Sequence, residues 1–230
     1  MLANLELSKK EKARNRDDRQ IKRIQEHHLH ADELVRLLEA AAPARARFYY
    51  LLYAGGFRIG ELKRHGRKHL RPDYGTYGAI NILRTQHLPG QGENRSSKSK
   101  QSRTVEFLSK YPTLILEDTP VGTWMDENDV EWTEVFFPEY YAQLENHYLR
   151  KYCNKIGVHR VTPHSFRHMR ITHLVHSDDH EKDWVQRRSG HADGKTTDHY
   201  TQTVFDREPQ PLETYLEEND IDLMDVLAAH

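Results

Sequence analysis

Four pairs of residues carry spacing that could do chemistry. Arg58 follows a glycine pair, and Glu61 stands one helical turn further on. His164 and Arg167 are three residues apart, which places them on one helix face. His191 precedes Tyr200 by nine residues. Lys98 and Lys100 sit in a serine-rich stretch just before Arg103. Arginine stays charged at any physiological pH and forks onto phosphate oxygens, so two such residues suit a phosphate. A tyrosine phenol has a free pKa of about 10 and must lose a proton as it attacks. Taken singly, each has a structural explanation. Arg58 could pair with Glu61 on a surface, His164 could cap a helix after Pro163, and Tyr200 could be an ordinary half-buried tyrosine.

The elements that would position these residues follow from periodicity and turn signals. Residues 1–28 read as a basic arm or linker with few apolar positions, either solvated or tracking DNA. Asp32 can cap a helix with Leu34, Val35, Leu37 and Leu38 on one face. After Pro43 a second helix runs through Phe48, Tyr49, Leu51 and Leu52 and ends at Gly55-Gly56. A third is expected from about Arg58 to His65. Pro72, Gly75 and Gly78 mark a turn, and Ala79–Arg84 and Thr104–Leu108 read as two strands around a polar loop. Helical patterns follow over 109–117, 128–156, 164–176 and about 180–189. Residues 29–206 form the expected main domain. Residues 207–230 form an acidic tail whose apolar positions, Leu212 to Leu227, suit a helix that packs on this domain or docks on a neighbouring subunit. The expected class is mainly α with a small antiparallel β-sheet.

Composition restricts the function. The 230 residues carry 34 Lys+Arg and 35 Asp+Glu, a formal net charge of -1. That balance argues against DNA binding by bulk positive charge. The charge is segregated, however. Residues 146–177 contain no Asp or Glu but hold Arg150, Lys151, Lys155, Arg160, Arg167 and Arg170. The stretch 84–110 is also basic. Screening acts over about 8 Å in physiological salt, so a local patch decides what a polyanion meets. Arg95, Lys100, Arg103, Arg160 and Arg170 are therefore the expected DNA contacts. No apolar run is long enough to span a membrane, and the N-terminus lacks a signal-like apolar core. One cysteine, Cys153, excludes an internal disulfide. A reducing, cytoplasmic setting is expected.

Read together, the motifs resemble the tyrosine recombinase (phage integrase) family, including its Xer-like members. The resemblance runs from about Leu29 to Thr203. It rests on Gly56-Phe57-Arg58-Ile59-Gly60-Glu61-Leu62, on Pro163-His164-Ser165-Phe166-Arg167, and on Gly190-His191 followed by Tyr200. It implies the DNA breaking-rejoining catalytic-core fold and site-specific recombination of double-stranded DNA without metal or cofactor. Tyr200 would attack a phosphodiester to give a 3′-phosphotyrosyl intermediate and a 5′-hydroxyl. Arg58, Arg167 and His191 would hold the phosphate, and His164 would be the base or proton relay. Alignment on Arg103 and Val105 makes Lys98 the general acid, with Lys100 the alternative. Glu61 would orient Arg58. A synaptic tetramer on DNA is the implied assembly.

Three other readings compete. The sequence has 16 histidines, and His27, His28 and His30 or His168 and His173 invite a zinc site. None matches a zinc-ligand spacing. A non-catalytic DNA-binding module would share the fold. A topoisomerase or resolvase would share the chemistry.

Overall fold

The structure is a computed structural model that describes residues 9–83, 102–125, 131–177, 180–191 and 194–229. Eleven α-helices dominate these residues. The central one is α3 (Pro43–Gly55), which begins with proline at its first position and has Phe48 through Tyr53 all buried. A helix apolar on every face belongs in the middle of a core. It packs against α7 (Pro163–His176), α2 (Ala31–Ala40) and α5 (Tyr111–Asp118). Helix α6 (Ala142–Ile156) packs on α2 and α7. His30, not Asp32, caps α2: the Glu33 carboxylate accepts from the His30 N–H at 2.9 Å. Asp32 lies in the first turn and pairs with Arg207 at 2.6 Å.

The sheet has three antiparallel strands in the order β1 (Leu70–Arg71), β2 (Ala79–Ile82), β3 (Arg103–Glu106). Ile80 pairs with Val105, and Ile82 with Arg103. A second hairpin joins β4 (Gly122–Met125) to β5 (Glu131–Val135). That hairpin replaces the first part of the helix expected over 128–156, which instead begins at Ala142. Glu131-Trp132-Thr133-Glu134-Val135 has helix-forming glutamates, but Trp124 stacks on Trp132 across the pair, and such cross-strand packing outweighs single-residue propensity.

Both chain ends pack on the main domain. The basic arm is helix α1 (Lys9–Glu26), and its Ile24 is buried in a small core with Ile171, Leu174, Val185 and Tyr200. The tail is two helices, α10 (Leu212–Glu218) and α11 (Leu223–Ala228). Leu212, Leu216, Leu223, Val226 and Leu227 are buried in the chain's own main core. Of the two placements expected for the tail, these residues show packing on the chain's own domain.

Candidate active site

Arg58 is placed by the end of α3. Gly56 adopts the left-handed conformation, φ +59°, which favours glycine, and its N–H bonds the Tyr53 carbonyl at 2.9 Å. The chain then turns out through buried Phe57 and starts helix α4 (Ile59–Lys63) with Arg58 as its cap. Glu61 accepts from the Arg58 backbone N–H at 2.9 Å and from Arg58 Nη1 at 2.8 Å. It also receives both terminal nitrogens of Arg103, each at 2.9 Å. Burial alone would raise the Glu61 carboxyl. Hydrogen bonds and charge from Arg103, with the charges of Arg167 and Arg58, override burial and hold it well below the usual carboxylate range.

This geometry corrects the expectation for Arg103. Its side chain is 8% exposed, and its Nε donates to the Arg188 carbonyl at 3.0 Å. It ties β3 to α4 and to α8 (Lys182–Ser189) instead of facing DNA. The other strand of the hairpin is tied to α4 as well. His65, just beyond that helix, accepts from Leu83 N–H at 3.0 Å through Nε2, and its Nδ1 lies 2.5 Å from the Glu61 carbonyl. Arg95, Lys98 and Lys100 lie outside the described residues.

Helix α7 supplies the next group. Arg167 is 2% exposed; Nη1 donates to the Gly56 carbonyl at 2.6 Å, and Nη2 donates to the Ser189 carbonyl. Burial, then repulsion from Arg58, pulls its guanidinium down to about 9. His164, one turn earlier, is exposed, and its ring meets His168 edge-on at 4.5 Å. Arg170 was also expected at the DNA surface. It is instead 1% exposed and bonds Glu213 at 2.7 Å. Arg160 is exposed, in keeping with a surface role.

The third group lies after α8. That helix ends at Gly190, φ +65°, and His191 follows. His191 Nδ1 lies 3.0 Å from Thr197 Oγ1, and its ring stacks on Tyr200 with centroids 6.0 Å apart. Tyr200 sits on α9 (Gly194–Thr201) and is 2% exposed. Its hydroxyl bonds His168 Nδ1. Burial pushes the phenol pKa up, while Arg167 and Arg58 pull it down. Arg58, Arg167, His191 and Tyr200 thus come from three distant segments into one place, with Glu61 beneath them and His164 at the edge. His168 and Arg188 were missed in the sequence. His168 had one signal available: it lies four residues after His164, on the same helix face. Arg188 is buried and bonds the Glu106 carbonyl. Among the described residues, no group of three or more His, Cys, Asp or Glu is arranged to hold a metal ion. No helix among them is long and apolar enough to cross a membrane.

A mainly helical frame thus brings arginines and histidines around one tyrosine. The chain belongs to the phage integrase family, whose model matches residues 27–207. No curated protein matches the chain significantly. Among solved structures, the XerA recombinase is similar at 22% identity and TM-score 0.54, over 85% of this chain and 65% of that one. The XerH recombinase bound to difH substrate, in its pre-cleavage complex, is similar at 21% identity and TM-score 0.52, over 76% of this chain and 49% of that one. The Tn1549 transposon integrase in complex with transposon right end DNA is similar at 18% identity and TM-score 0.52, over 77% and 59%. These likenesses speak for the fold. The chain spans about half to two thirds of the length of these structures.

Proposed function

We propose that this protein is a tyrosine site-specific recombinase that cuts and rejoins double-stranded DNA through a 3′-phosphotyrosyl intermediate. The observation that carries this reading is the convergence of Arg58, Arg167 and His191 around Tyr200. Tyr200 Oη attacks phosphorus, a bond from phosphorus to tyrosine forms, and the bond to the 5′ oxygen breaks. One ester replaces another, so religation needs no external energy source. The transition state gathers charge on the nonbridging oxygens, and the two guanidiniums and His191 offset it. Arg58 is the more accessible guanidinium, with 28% of its side chain exposed, so it is where an incoming phosphate first meets the site. Glu61 holds Arg58 and Arg103 in register. Lys98, or Lys100 beside it, protonates the leaving 5′ oxygen. The resemblance gives His164 the role of base or proton relay, and the residue stands at the open edge of the site. Arg160 and the neighbouring basic residues of α6 contact the DNA backbone.

The proposed substrate is DNA in the cytoplasm, and strand exchange by four copies synapsed on two sites is the proposed assembly. The strand-transfer chemistry is tested with a nicked duplex that traps the covalent adduct. Wild type accumulates a protein–DNA species stable to denaturation, and Tyr200→Phe forms none. An adduct that persists in Tyr200→Phe rules out this nucleophile. Adduct without recombination of paired sites would favour a topoisomerase-like use of the same chemistry.

A further inference from the structure

We propose that His168, not His164, is the group that takes the proton from Tyr200. This inference rests on the strand-transfer reading above. The contact is direct: His168 Nδ1 is hydrogen-bonded to the Tyr200 hydroxyl, and the two rings lie 5.7 Å apart, tilted by 31°. His164 faces solvent, and its ring packs against His168.

The surroundings keep both partners neutral, which permits the phenol to donate to the ring. His168 is 7% exposed. The charged and titratable groups that act on it are His164 and Arg167 on its own helix, and Arg23 and His27 on and just after α1. Tyr200 faces it from α9. Burial first, then these positive neighbours, hold the ring neutral. Tyr200 is held as a neutral phenol by its own burial. In the tautomer that carries its proton on Nε2, the neutral phenol donates and Nδ1 accepts; His168 takes this tautomer in the proposed step. This is the geometry required of a general base, a proton acceptor within hydrogen-bond reach of the proton it removes. A DNA phosphate bound at Arg58 and Arg167 would offset the positive charge that disfavours an imidazolium, so the base strengthens when substrate arrives.

The step balances. The Tyr200 O–H bond breaks and an Nδ1–H bond forms on His168. The tyrosine oxygen makes its bond to phosphorus, and the bond from phosphorus to the 5′ oxygen breaks. That oxygen takes a different proton, from the lysine ammonium of the proposed general acid. Religation reverses each step, and His168 returns the proton to Tyr200. His164, at the solvent edge, is then a positioning residue that packs against His168.

The experiment measures single-turnover adduct formation on the nicked duplex across pH. It uses substrate with the natural 5′ oxygen and with sulfur at that bridging position. A thiolate leaves without a proton, so sulfur relieves loss of a leaving-group acid and not loss of a base on the nucleophile. His168→Asn keeps an acceptor near the Nδ1 position but is not basic. It is expected to slow adduct formation by about 10²–10⁴-fold, unrelieved by sulfur, with a rate that climbs with pH toward phenol ionisation. His164→Ala should have a smaller effect. A His168→Asn rate within threefold of wild type, or full rescue by sulfur, overturns the proposal. Should the variant fail to fold, nitrogen-15 NMR of wild type decides. An unprotonated Nδ1 that shifts in Tyr200→Phe supports the proposal, and a protonated Nδ1 overturns it. Absence of adduct in wild type itself would instead sink the strand-transfer reading.

Discussion

Two arginines on helix α7 stand three residues apart, both buried, and the chain treats them in opposite ways. Arg167 donates to two backbone carbonyls, on Gly56 and Ser189, which satisfy its N–H groups but do not cancel its charge. Its pKa is pulled down to about 9, first by burial and then by Arg58. Arg170 bonds the Glu213 carboxylate and lies beside the Tyr53 hydroxyl at 3.4 Å. Burial would lower it, but Glu213 and Tyr53 outweigh burial and raise it. The N-terminal half of the helix therefore keeps beside Tyr200 a cation whose described hydrogen bonds go to carbonyls, with Glu61 acting on it only through space. The C-terminal half neutralises its cation and uses it to hold α10, whose Leu212 N–H also donates to Tyr53 at 2.8 Å. Residue type alone does not make a binding site; the partner does. A cation left short of a counter-charge is poised for an anionic ligand.

The contrast can be broken most directly at Arg170. Arg170→Ala should lose about 3 kcal/mol of stability in urea unfolding, because Glu213 is left unpaired. This is the low end of such effects, since Glu213 is 20% exposed and can recover some hydration. Arg170→Met with Glu213→Leu should regain most of the loss. A stable Arg170→Ala would mean that the pair does not hold the tail. At Arg167 the expected loss is kinetic. Arg167→Lys keeps a charge but loses the fork, and adduct formation should fall about 10²–10³-fold. Equal rates would show that the buried guanidinium does not meet the phosphate.

The histidines around the Arg170 end of the helix sharpen the comparison through pH. Burial first, then His30, lowers His28 to about 3; burial, then His28 itself, holds His173 well below its ordinary value. Between about pH 6.5 and 3 the unfolded chain therefore binds protons that the folded chain refuses. Stability is full above that window and falls as pH falls through it. At pH 5 the His28 ring should cost about 2 kcal/mol relative to pH 7, and His173 acts in the same direction. Urea midpoints at the two values check this, and His28→Leu should flatten the dependence. The smallest effect belongs to an exposed arginine. Arg160→Ala should weaken DNA binding and reduce the slope of log affinity against log salt by about 1. Arg103→Met and the Arg170→Met/Glu213→Leu pair should leave that slope unchanged, since neither guanidinium reaches the surface.

Much of the site was legible in the chain. The glycine turn before Arg58, the three-residue step from His164 to Arg167, and the nine-residue step from His191 to Tyr200 are local patterns, and local geometry carries them onto helices and caps. Side-chain direction was not legible. Arg103 and Arg170 lie in basic runs that look like a DNA-facing surface, yet each turns inward to a carboxylate that is 42 or 43 residues away. The tail shows the same limit. Its apolar positions were visible, but which surface they cover depends on α2 and α3. The Glu131–Val135 strand was read as helix because its partner across the hairpin, and the stacking of Trp124 on Trp132, contribute nothing to a one-dimensional pattern.

By itself the sequence determined the chemical inventory and its order: arginine after a glycine turn, histidine and arginine on one helix face, histidine and tyrosine closing the series. Those features are set by residues no more than nine apart in the chain, where turns and helical periodicity govern placement. Only the tertiary structure decided which arginine is bonded directly to a carboxylate, which histidine touches the tyrosine, and that the basic arm and the acidic tail pack on the same domain. Those outcomes depend on charge neutralisation and burial between segments far apart in the chain. Burial makes each partner energetically decisive, because a charge removed from water is governed by whatever group the fold sets beside it.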